Sequence, residues 1–186
     1  MKRSALDKLI SYTGLTLAAI LLVAGGLLTW ASSFIGQEVR DQLTAQKITM
    51  PSGAALEDPL IKPYLEKYAG QEMTNGDQAK AFADHYILVH MNKSSGGKTY
   101  EEVSGEYIKM AKDPNADKAE LAKLGELRQT LFMGNTLRGL LLNAYAFGTI
   151  GVIAGYAAVA AFVGAVVLGI LAFLGLRHSK TASGDV

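Results

Sequence analysis

The residues most suggestive of chemistry are Gly97, Lys98 and Thr99, which match the end of a phosphate-binding P-loop. The full pattern is G-x-x-x-x-G-K-[ST] after a buried strand, and its backbone N–H groups and lysine hold nucleotide phosphates. Here Asn92 stands where the first glycine belongs, and the residues before it have helical spacing. The pattern therefore favours a helix that stops at Gly96 and Gly97, and it predicts no bound nucleotide.

Thr99 and Glu102 have the spacing of a capping box. In this motif the threonine hydroxyl and the glutamate carboxylate each accept a hydrogen bond from a free backbone N–H at the start of a helix. We therefore expect Gly97, Thr99 and Glu102 to be structural cap residues, with Lys98 in solvent. The helix that they begin is predicted to run from residue 100 to about residue 112.

His85 and His90, with Asp84 beside them, are a second candidate site, because two histidines and a carboxylate can bind zinc or iron(II). On an α-helix a spacing of five places the two rings about 140° apart, whereas a spacing of four makes side chains neighbours. The spacing favours a half-buried His90 on an apolar face and a solvated His85. The sequence thus predicts no metal site, no cofactor and no catalytic residue.

Composition removes further classes of function. There is no cysteine, which excludes thiolate metal sites and cysteine nucleophiles. The 18 basic and 17 acidic residues nearly balance and form no basic stripe, so no nucleic-acid partner is predicted. A non-enzymatic protein is the interpretation that these exclusions favour.

Two long blocks, residues 9–37 and 139–176, contain no Asp, Glu, Lys or Arg. A bilayer core about 30 Å thick needs about 20 apolar residues in a helix. Only helices and closed barrels satisfy their backbone hydrogen bonds in lipid, and neither block alternates as a barrel strand does. We therefore predict membrane helices over residues 10–34 and 156–176, with lipid as one partner.

Basic residues near the spans predict their orientation, because they favour the cytoplasmic side. The basic residues outnumber Asp7 before the first span and Asp185 after the second: they are Lys2, Arg3, Lys8, Arg177 and Lys180. Residues 1–9 and 177–186 are therefore predicted to be cytoplasmic tails of a cell-membrane protein.

The first span has one alternative, a cleaved signal peptide. Its apolar core is usually 7–15 residues long, whereas here apolar sequence continues past Trp30 to Ile35. Tyr12 and Trp30 are 18 residues apart, or about 27 Å on a helix, and fit interfacial belts on both sides of a membrane. The length favours a membrane anchor.

The predicted fold class is mainly α, with two transmembrane helices flanking a mostly helical extracytoplasmic domain over residues 35–138. Helical spacing covers residues 77–92, and a long helix after Asp113 and Pro114 enters the second span. One short β pair, residues 47–50 with 71–74, is the alternative to an all-helical domain.

The second block is longer than a membrane requires, since 38 residues span about 57 Å. Residues 139–155 are therefore predicted to form an apolar helical extension at the outer interface. Either the extracytoplasmic domain covers them, which is favoured, or a partner protein does. A third span is less favoured, because no polar loop divides the block.

Small residues recur within both spans and allow helices to approach closely. The helix-packing candidates are Gly25, Gly26, Gly151, Gly155, Ala161, Ala165 and Gly169. They predict pairing of the two spans, a homo-oligomer, or docking to another membrane protein, and the sequence leaves the three open.

Four short motifs carry a resemblance to a family. They are residues 46–49, residues 68–70, the run GGKTYEEVS at 96–104 and the run LRGLLLNAYAFG at 137–148. With them the chain resembles actinobacterial small two-span membrane proteins of unknown function, some of which are labelled aromatic ring-opening dioxygenases. The label would imply a clustered His and Glu iron site, which the spacing of His85 and His90 does not favour.

Three functions follow as hypotheses. The first is an accessory or scaffold subunit of a cell-envelope or respiratory membrane assembly. The second is an extracytoplasmic ligand-binding or sensor protein, which requires an apolar pocket with converging polar groups. The third, a metalloenzyme, requires His85 and His90 to converge.

Overall fold

The structure is a computed structural model that describes residues 3–181, so the terminal charges Lys2 and Asp185 lie outside the described residues. The chain is mainly α-helical, as predicted. Its helices are α1 (Arg3–Ala45), α2 (Lys62–Leu65), α3 (Gly76–Phe82), α4 (Leu88–Ser95), α5 (Tyr100–Ala111) and α6 (Lys118–Ser179). Short 3-10 segments cover Gly53–Leu56 and Glu66–Tyr68, and a π-helical turn, Ala83–Ile87, joins α3 to α4.

Two of these helices, α1 and α6, are long and apolar enough to cross a membrane. They contain 43 and 62 residues, or about 65 Å and about 93 Å of helix. Neither contains proline, which would remove a helical hydrogen bond and clash with the preceding turn. The continuation of the first apolar block as helix and the long helix through the second block are both as predicted.

The start of α6 differs from the prediction. Asp113 and Pro114 belong to a turn that precedes the helix. The cap is instead Asp117, whose Oδ1 accepts hydrogen bonds from the backbone N–H groups of Ala119 (2.7 Å) and Glu120 (3.3 Å). Asp-Pro is a common helix start, but a second aspartate downstream performs the same capping.

The chain divides into two compact units, each described by itself: unit 1 comprises residues 1–37 and 150–186, and unit 2 comprises residues 38–149. In unit 1, α1 and α6 run antiparallel. A Cβ at Gly14 would lie 3.3 Å from the Cβ of Ala172, and a Cβ at Gly155 would lie 3.0 Å from the hydroxyl of Ser32.

One core cluster of unit 2 forms where α4, α5 and α6 meet. Met91, Val103 and Leu131 are buried there, one from each helix. Partly buried side chains pack around them: Ile87, Tyr100, Leu124 and Leu127. Burial of a large apolar side chain stabilises the fold by roughly 1.5–3 kcal/mol, so these contacts fix α5 against the first half of α6.

The predicted β pair is present only as a single bridge. Thr49 and Glu72 form an isolated antiparallel bridge. The N–H of Met50 donates to the carbonyl oxygen of Gln71 over 2.8 Å beside it. The pairing ties the chain after α1 to the segment before α3 without forming a sheet.

Candidate functional site

The P-loop-like residues form a corner between two helices. α4 ends at Ser95, and its C-cap residue Gly96 has a left-handed backbone conformation. The N–H of Gly97 donates to the carbonyl oxygen of Asn92 over 2.8 Å. Thr99 Oγ1 accepts from the N–H of Glu102 (3.3 Å), and the Glu102 carboxylate accepts from the N–H of Thr99 (2.7 Å). The capping box is therefore present, and the segment before the corner is helix instead of the strand that a P-loop needs.

The charged side chains at this corner interact with residues close to them in the sequence. The hydrogen bonds that Thr99 donates lower the pKa of Glu102, which keeps the cap carboxylate ionised. Lys98 pairs with Glu106 over 2.7 Å, and both side chains are about half exposed. Exposed pairs of this kind contribute roughly 0–1 kcal/mol, so Lys98 belongs to a surface ion pair.

His85 and His90 lie in environments opposite to those expected. His85 is half-buried, and its ring stacks on Tyr64 with centroids 3.5 Å apart and planes 4° from parallel. His90 is the exposed one, with Nδ1 2.7 Å from the carbonyl oxygen of Tyr86. Within residues 3–181 no group of three or more His, Asp or Glu side chains is placed to hold a metal ion.

The π-helical turn explains this exchange. The N–H of Leu88 donates to the carbonyl oxygen of Ala83, five residues back instead of four. The wider turn rotates the later side chains relative to an α-helix, and the prediction assumed α-helical spacing throughout. Single π turns are common at functional sites, which makes the surroundings of this one the natural place to look for a site.

A charged cluster holds the π turn against α6. Arg138 donates from Nε to the carbonyl oxygen of Ala83 (3.0 Å) and from its terminal nitrogen to Asp84 (3.0 Å). Lys80 donates to the other oxygen of Asp84 over 2.6 Å and lies 5.3 Å from the ring centre of Tyr145. Every charge in the cluster thus has a partner within unit 2, and the arrangement is structural.

The protonation of the cluster follows from these contacts. Partial burial raises the pKa of Asp84, but the hydrogen bonds from Lys80 and Arg138 outweigh it and hold that pKa below its ordinary value. The hydrogen bond to Asp84 raises the pKa of Lys80. Both groups are therefore charged at neutral pH, and neither is poised to exchange a proton.

Five of the seven predicted helix-packing residues lie between α1 and α6 within unit 1. A Cβ at Gly25 would approach the ring of Phe162 to 2.9 Å, and a Cβ at Gly151 would approach Ile35 to 3.2 Å. Gly155 faces Ser32, and Ala161 and Ala165 are buried. These five small residues therefore lie where α1 and α6 approach each other within unit 1.

Gly26 and Gly169 lie away from these contacts. Apart from neighbouring residues of the same helix, no atom of the described chain lies within 4 Å of a Cβ built at either position. Gly26 follows the contact residue Gly25 and is therefore rotated from it by about 100°. Gly14, Gly164 and Gly175 make further contacts that were not among the candidates, against Ala172, Leu21 and Ser11.

The half of α6 that belongs to unit 2 has two different faces. The inner face carries Leu131, 1% exposed, and Leu141, 4% exposed. On the opposite face a row of exposed residues follows alternating spacings of three and four. We call this row the α6 seam; it consists of Gln129, Phe132, Thr136, Gly139, Asn143 and Ala146.

Large apolar side chains border the α6 seam. Met133, Leu140 and Phe147 are all more than half exposed. Apart from neighbouring residues of the same helix, no atom of the described chain lies within 4 Å of a Cβ built at Gly139. An exposed apolar surface of this extent is typical of a protein-interaction site, and we treat it as the candidate functional site.

A groove of about 600 Å³ lies between α5 and the first turns of α6. Met110, Leu124 and Leu127 supply apolar lining, and charged side chains share the lining with them: Glu106, Lys109, Asp113, Glu120 and Lys123. Its volume is in the range of small-molecule sites. Sequence spacing did not reveal it, because its walls come from two helices joined by an irregular turn.

Comparison with family models, curated proteins and solved structures found no match to this chain. The resemblance to actinobacterial two-span membrane proteins therefore stays a prediction, and the function is inferred from the surfaces just described.

Proposed function

We propose that this chain is a non-enzymatic integral membrane protein that serves as an accessory or scaffold subunit of a cell-envelope or respiratory membrane assembly. In this proposal residues 10–34 and 156–176 cross the membrane and both ends of the chain are cytoplasmic. Residues 35–138 then form an extracytoplasmic domain, and residues 139–155 extend the second span outward.

Two aromatic residues support the position of the outer membrane boundary. Trp30 and Tyr156 are both exposed, and each lies within two residues of the contact between Ser32 and Gly155. Trp and Tyr prefer the interface, where an apolar ring and a polar group are both accommodated. Their shared level on the helix pair supports a boundary there.

The observation that carries the proposal is the apolar surface of α6 beyond this boundary. On α1 the charged sequence begins at Glu38, three residues after Ile35, which faces Gly151. On α6 the residues before Gly151 stay uncharged back to Gly139, which is about 18 Å of helix. Beyond the contact between Ile35 and Gly151, α1 therefore becomes charged, whereas α6 remains uncharged and apolar.

Unit 2 covers only part of this extension. Leu141 is buried, and a Cβ at Gly148 would lie 3.7 Å from the Cα of Gly76. Leu140 and Phe147 remain 58% and 57% exposed. The domain covers the inner face, which is the alternative that the sequence favoured. In this proposal a protein partner covers the outer face and removes the remaining apolar surface from water.

Native co-purification tests the proposal. The full chain is expressed in its own host, solubilised in mild detergent, cross-linked and analysed by mass spectrometry. Phe147→Glu should remove the partner, because a carboxylate at the centre of an apolar contact loses its hydration. Ile108→Glu is the matched control, since Ile108 is an exposed apolar residue of α5 on a different surface.

A chain that is recovered as a lone monomer, with no protein cross-linked to it, would end the proposal. Loss of the partner with Ile108→Glu but not with Phe147→Glu would move the contact to α5 and contradict the role given to α6.

The groove between α5 and α6 favours a second candidate function, an extracytoplasmic ligand-binding protein. Apolar side chains line it, and exposed charged side chains share that lining. Leu124→Trp would fill it. A small molecule retained by the natural chain in native mass spectra and lost from this variant would support ligand binding, whereas identical spectra without a bound mass would exclude a tightly held ligand.

A further inference from the structure

Unit 2 contains two partly buried arginines, and the chain supplies a carboxylate to one of them. Arg138 pairs with Asp84 over 3.0 Å. Arg128 is also partly buried, but no carboxylate within residues 3–181 lies at ion-pair distance from it. A charged side chain that is withdrawn from water usually has a partner of opposite charge. Arg128 therefore lacks the partner that its burial leads us to expect.

Two tyrosine rings and a serine hydroxyl hold the Arg128 guanidinium in place. Its Nε donates to the hydroxyl of Ser104 over 3.0 Å, and Ser104 is buried. The guanidinium carbon lies 5.2 Å from the ring centre of Tyr107 and 5.9 Å from that of Tyr100, where an aromatic face attracts a cation. Gly125 leaves room for the Tyr107 ring, which a Cβ there would approach to 3.1 Å. These contacts fix the position of the charge without neutralising it.

Most hydrogen-bond donors of Arg128 have no acceptor within the described chain. A guanidinium carries five N–H donors and no acceptor. Besides the bond from Nε, one terminal nitrogen lies 3.5 Å from the hydroxyl of Tyr100. Five donors less these two leave about three without a hydrogen bond to residues 3–181.

Arg128 borders a cavity of about 220 Å³ whose described lining contains no acidic side chain. The lining residues are Tyr100, Gly125, Arg128, Gln129 and Phe132. The Tyr100 hydroxyl accepts from Arg128 and keeps its own proton to donate, and the Gln129 amide supplies two further donors. Donors thus predominate here, in contrast to the larger groove between α5 and α6, whose lining includes acidic residues.

We propose that this cavity binds a small oxyanion, a carboxylate or a phosphate group, with the Arg128 guanidinium as its main ligand. A planar guanidinium can donate to two oxygens of such a group at once. Tyr100 and Gln129 donate the remaining hydrogen bonds. The volume lies below the roughly 300–1,000 Å³ of sites for drug-sized ligands, so the cavity suits a free ion or the acidic end of a larger molecule.

This inference goes beyond the proposed function and does not depend on it. All of the contacts of Arg128 lie within unit 2. The partner contact that Phe147 tests lies 15 residues beyond Phe132, or about 22 Å further along α6. Either site can therefore exist without the other.

Chemical modification of arginines tests the site in the full chain, purified in mild detergent. Phenylglyoxal reacts with accessible guanidinium groups, and peptide mass spectrometry gives the rate at each arginine. Inorganic phosphate or acetate, balanced with chloride to constant ionic strength, should slow the modification of Arg128 at least threefold and in a saturable way. Arg40 is the internal control, because it is exposed and lies outside the cavity, so its rate should stay unchanged.

Two tyrosine variants test the geometry of the cavity. Tyr100→Phe and Tyr107→Phe each keep a ring beside Arg128 and remove one hydroxyl, but only Tyr100 lines the cavity. Tyr100→Phe should raise the phosphate concentration for half-protection of Arg128 at least threefold, whereas Tyr107→Phe should leave it within twofold. Hydrogen exchange of α4 and α5 shows that both variants are folded. Equal effects of the two variants contradict the donor role of Tyr100 and overturn the site as described.

Benzoate separates the two sources of the oxyanion. Half-protection of Arg128 at a lower concentration of benzoate than of acetate supports binding of the acidic end of a larger molecule, because Phe132 and Tyr100 then contact its ring. Equal concentrations support a free ion.

The remaining outcomes overturn the site. If phosphate and acetate slow Arg128 no more than Arg40, Arg128 is a structural residue. If Arg128 reacts in the purified chain but is shielded in native membranes without added anion, a protein covers the cavity, which overturns the small oxyanion and keeps the accessory subunit. Absence of any protein partner ends the accessory subunit and leaves protection by phosphate unaffected.

Discussion

The two faces of α6 in unit 2 differ in how closely they are packed by the rest of the chain. On the inner face, Leu131 is buried and a Cβ at Gly134 would overlap the side chain of Met91. On the outer face, Leu140 is exposed and Gly139 has open space around it. The same helix, over the same few turns, is closely packed on one side and uncovered on the other.

This difference separates folding from association. Residues on the inner face determine whether unit 2 forms, because they take apolar surface from water within one chain. Residues on the outer face gain less from the fold of a single chain, since more than half of the Leu140 side chain stays exposed. Substitutions on the inner face should therefore lower the stability of an isolated chain, whereas those on the outer face should act only when a partner is present.

The largest expected effect comes from a matched pair of leucines. Leu131→Ala should lower the free energy of opening of unit 2 by about 2–5 kcal/mol, since it leaves a cavity in the core. Leu140→Ala should change it by less than about 0.5 kcal/mol, because the side chain is already in solvent. Hydrogen exchange of α4 and α5 amides in the detergent-solubilised chain measures both, and equal losses would contradict the two-face description.

The intermediate effect is at the π turn. Arg138→Gln leaves Asp84 partly buried with only Lys80 as a partner, which should cost about 1–3 kcal/mol in the same exchange measurement. Lys98→Gln is the control, because it breaks a half-exposed ion pair worth roughly 0–1 kcal/mol. If Lys98→Gln lowered the stability of unit 2 as much as Arg138→Gln, the Asp84 cluster would contribute no more than an exposed ion pair.

The same cluster predicts a pH dependence with a defined sign. The pKa of Asp84 is lowered in the folded chain. Its ion pairs therefore stabilise unit 2 fully above about pH 4, the ordinary pKa of an aspartate. This stabilisation is lost as the pH falls through the lowered pKa of the folded chain. Asp84→Asn removes that contribution and should flatten the decline of unit 2 stability on the acid side. An unchanged acid slope in the variant would contradict the assignment.

Local signals in the sequence predicted most of the length of the longer helices. Thr99 and Glu102 predicted the start of α5 because a capping box needs only residues three apart. The two charge-free blocks, with helical spacing in the residues beside them, predicted α1 and most of α6. In both cases the physical cause lies within one or two helical turns of the residues that reveal it.

Non-local contacts could not be predicted in the same way. Arg138 and Asp84 are 54 residues apart along the chain, and no periodicity connects them. The π turn inserts one residue into an otherwise regular pattern, which reversed the environments expected for His85 and His90. The uncovered face of α6 was predicted only as an alternative, because the sequence shows that a segment is apolar but not which side of it is packed.

The smallest expected effect comes from adding one methyl group to each face of α6, at two glycines five residues apart. Alanine is preferred to glycine inside a helix by about 0.8–1 kcal/mol. Gly139→Ala should gain most of this in a chain diluted to monomers in detergent, since nothing lies near the new methyl group. Gly134→Ala gains the same propensity but forces Met91 to move, and overpacking of about 1–3 kcal/mol should cancel or reverse the gain.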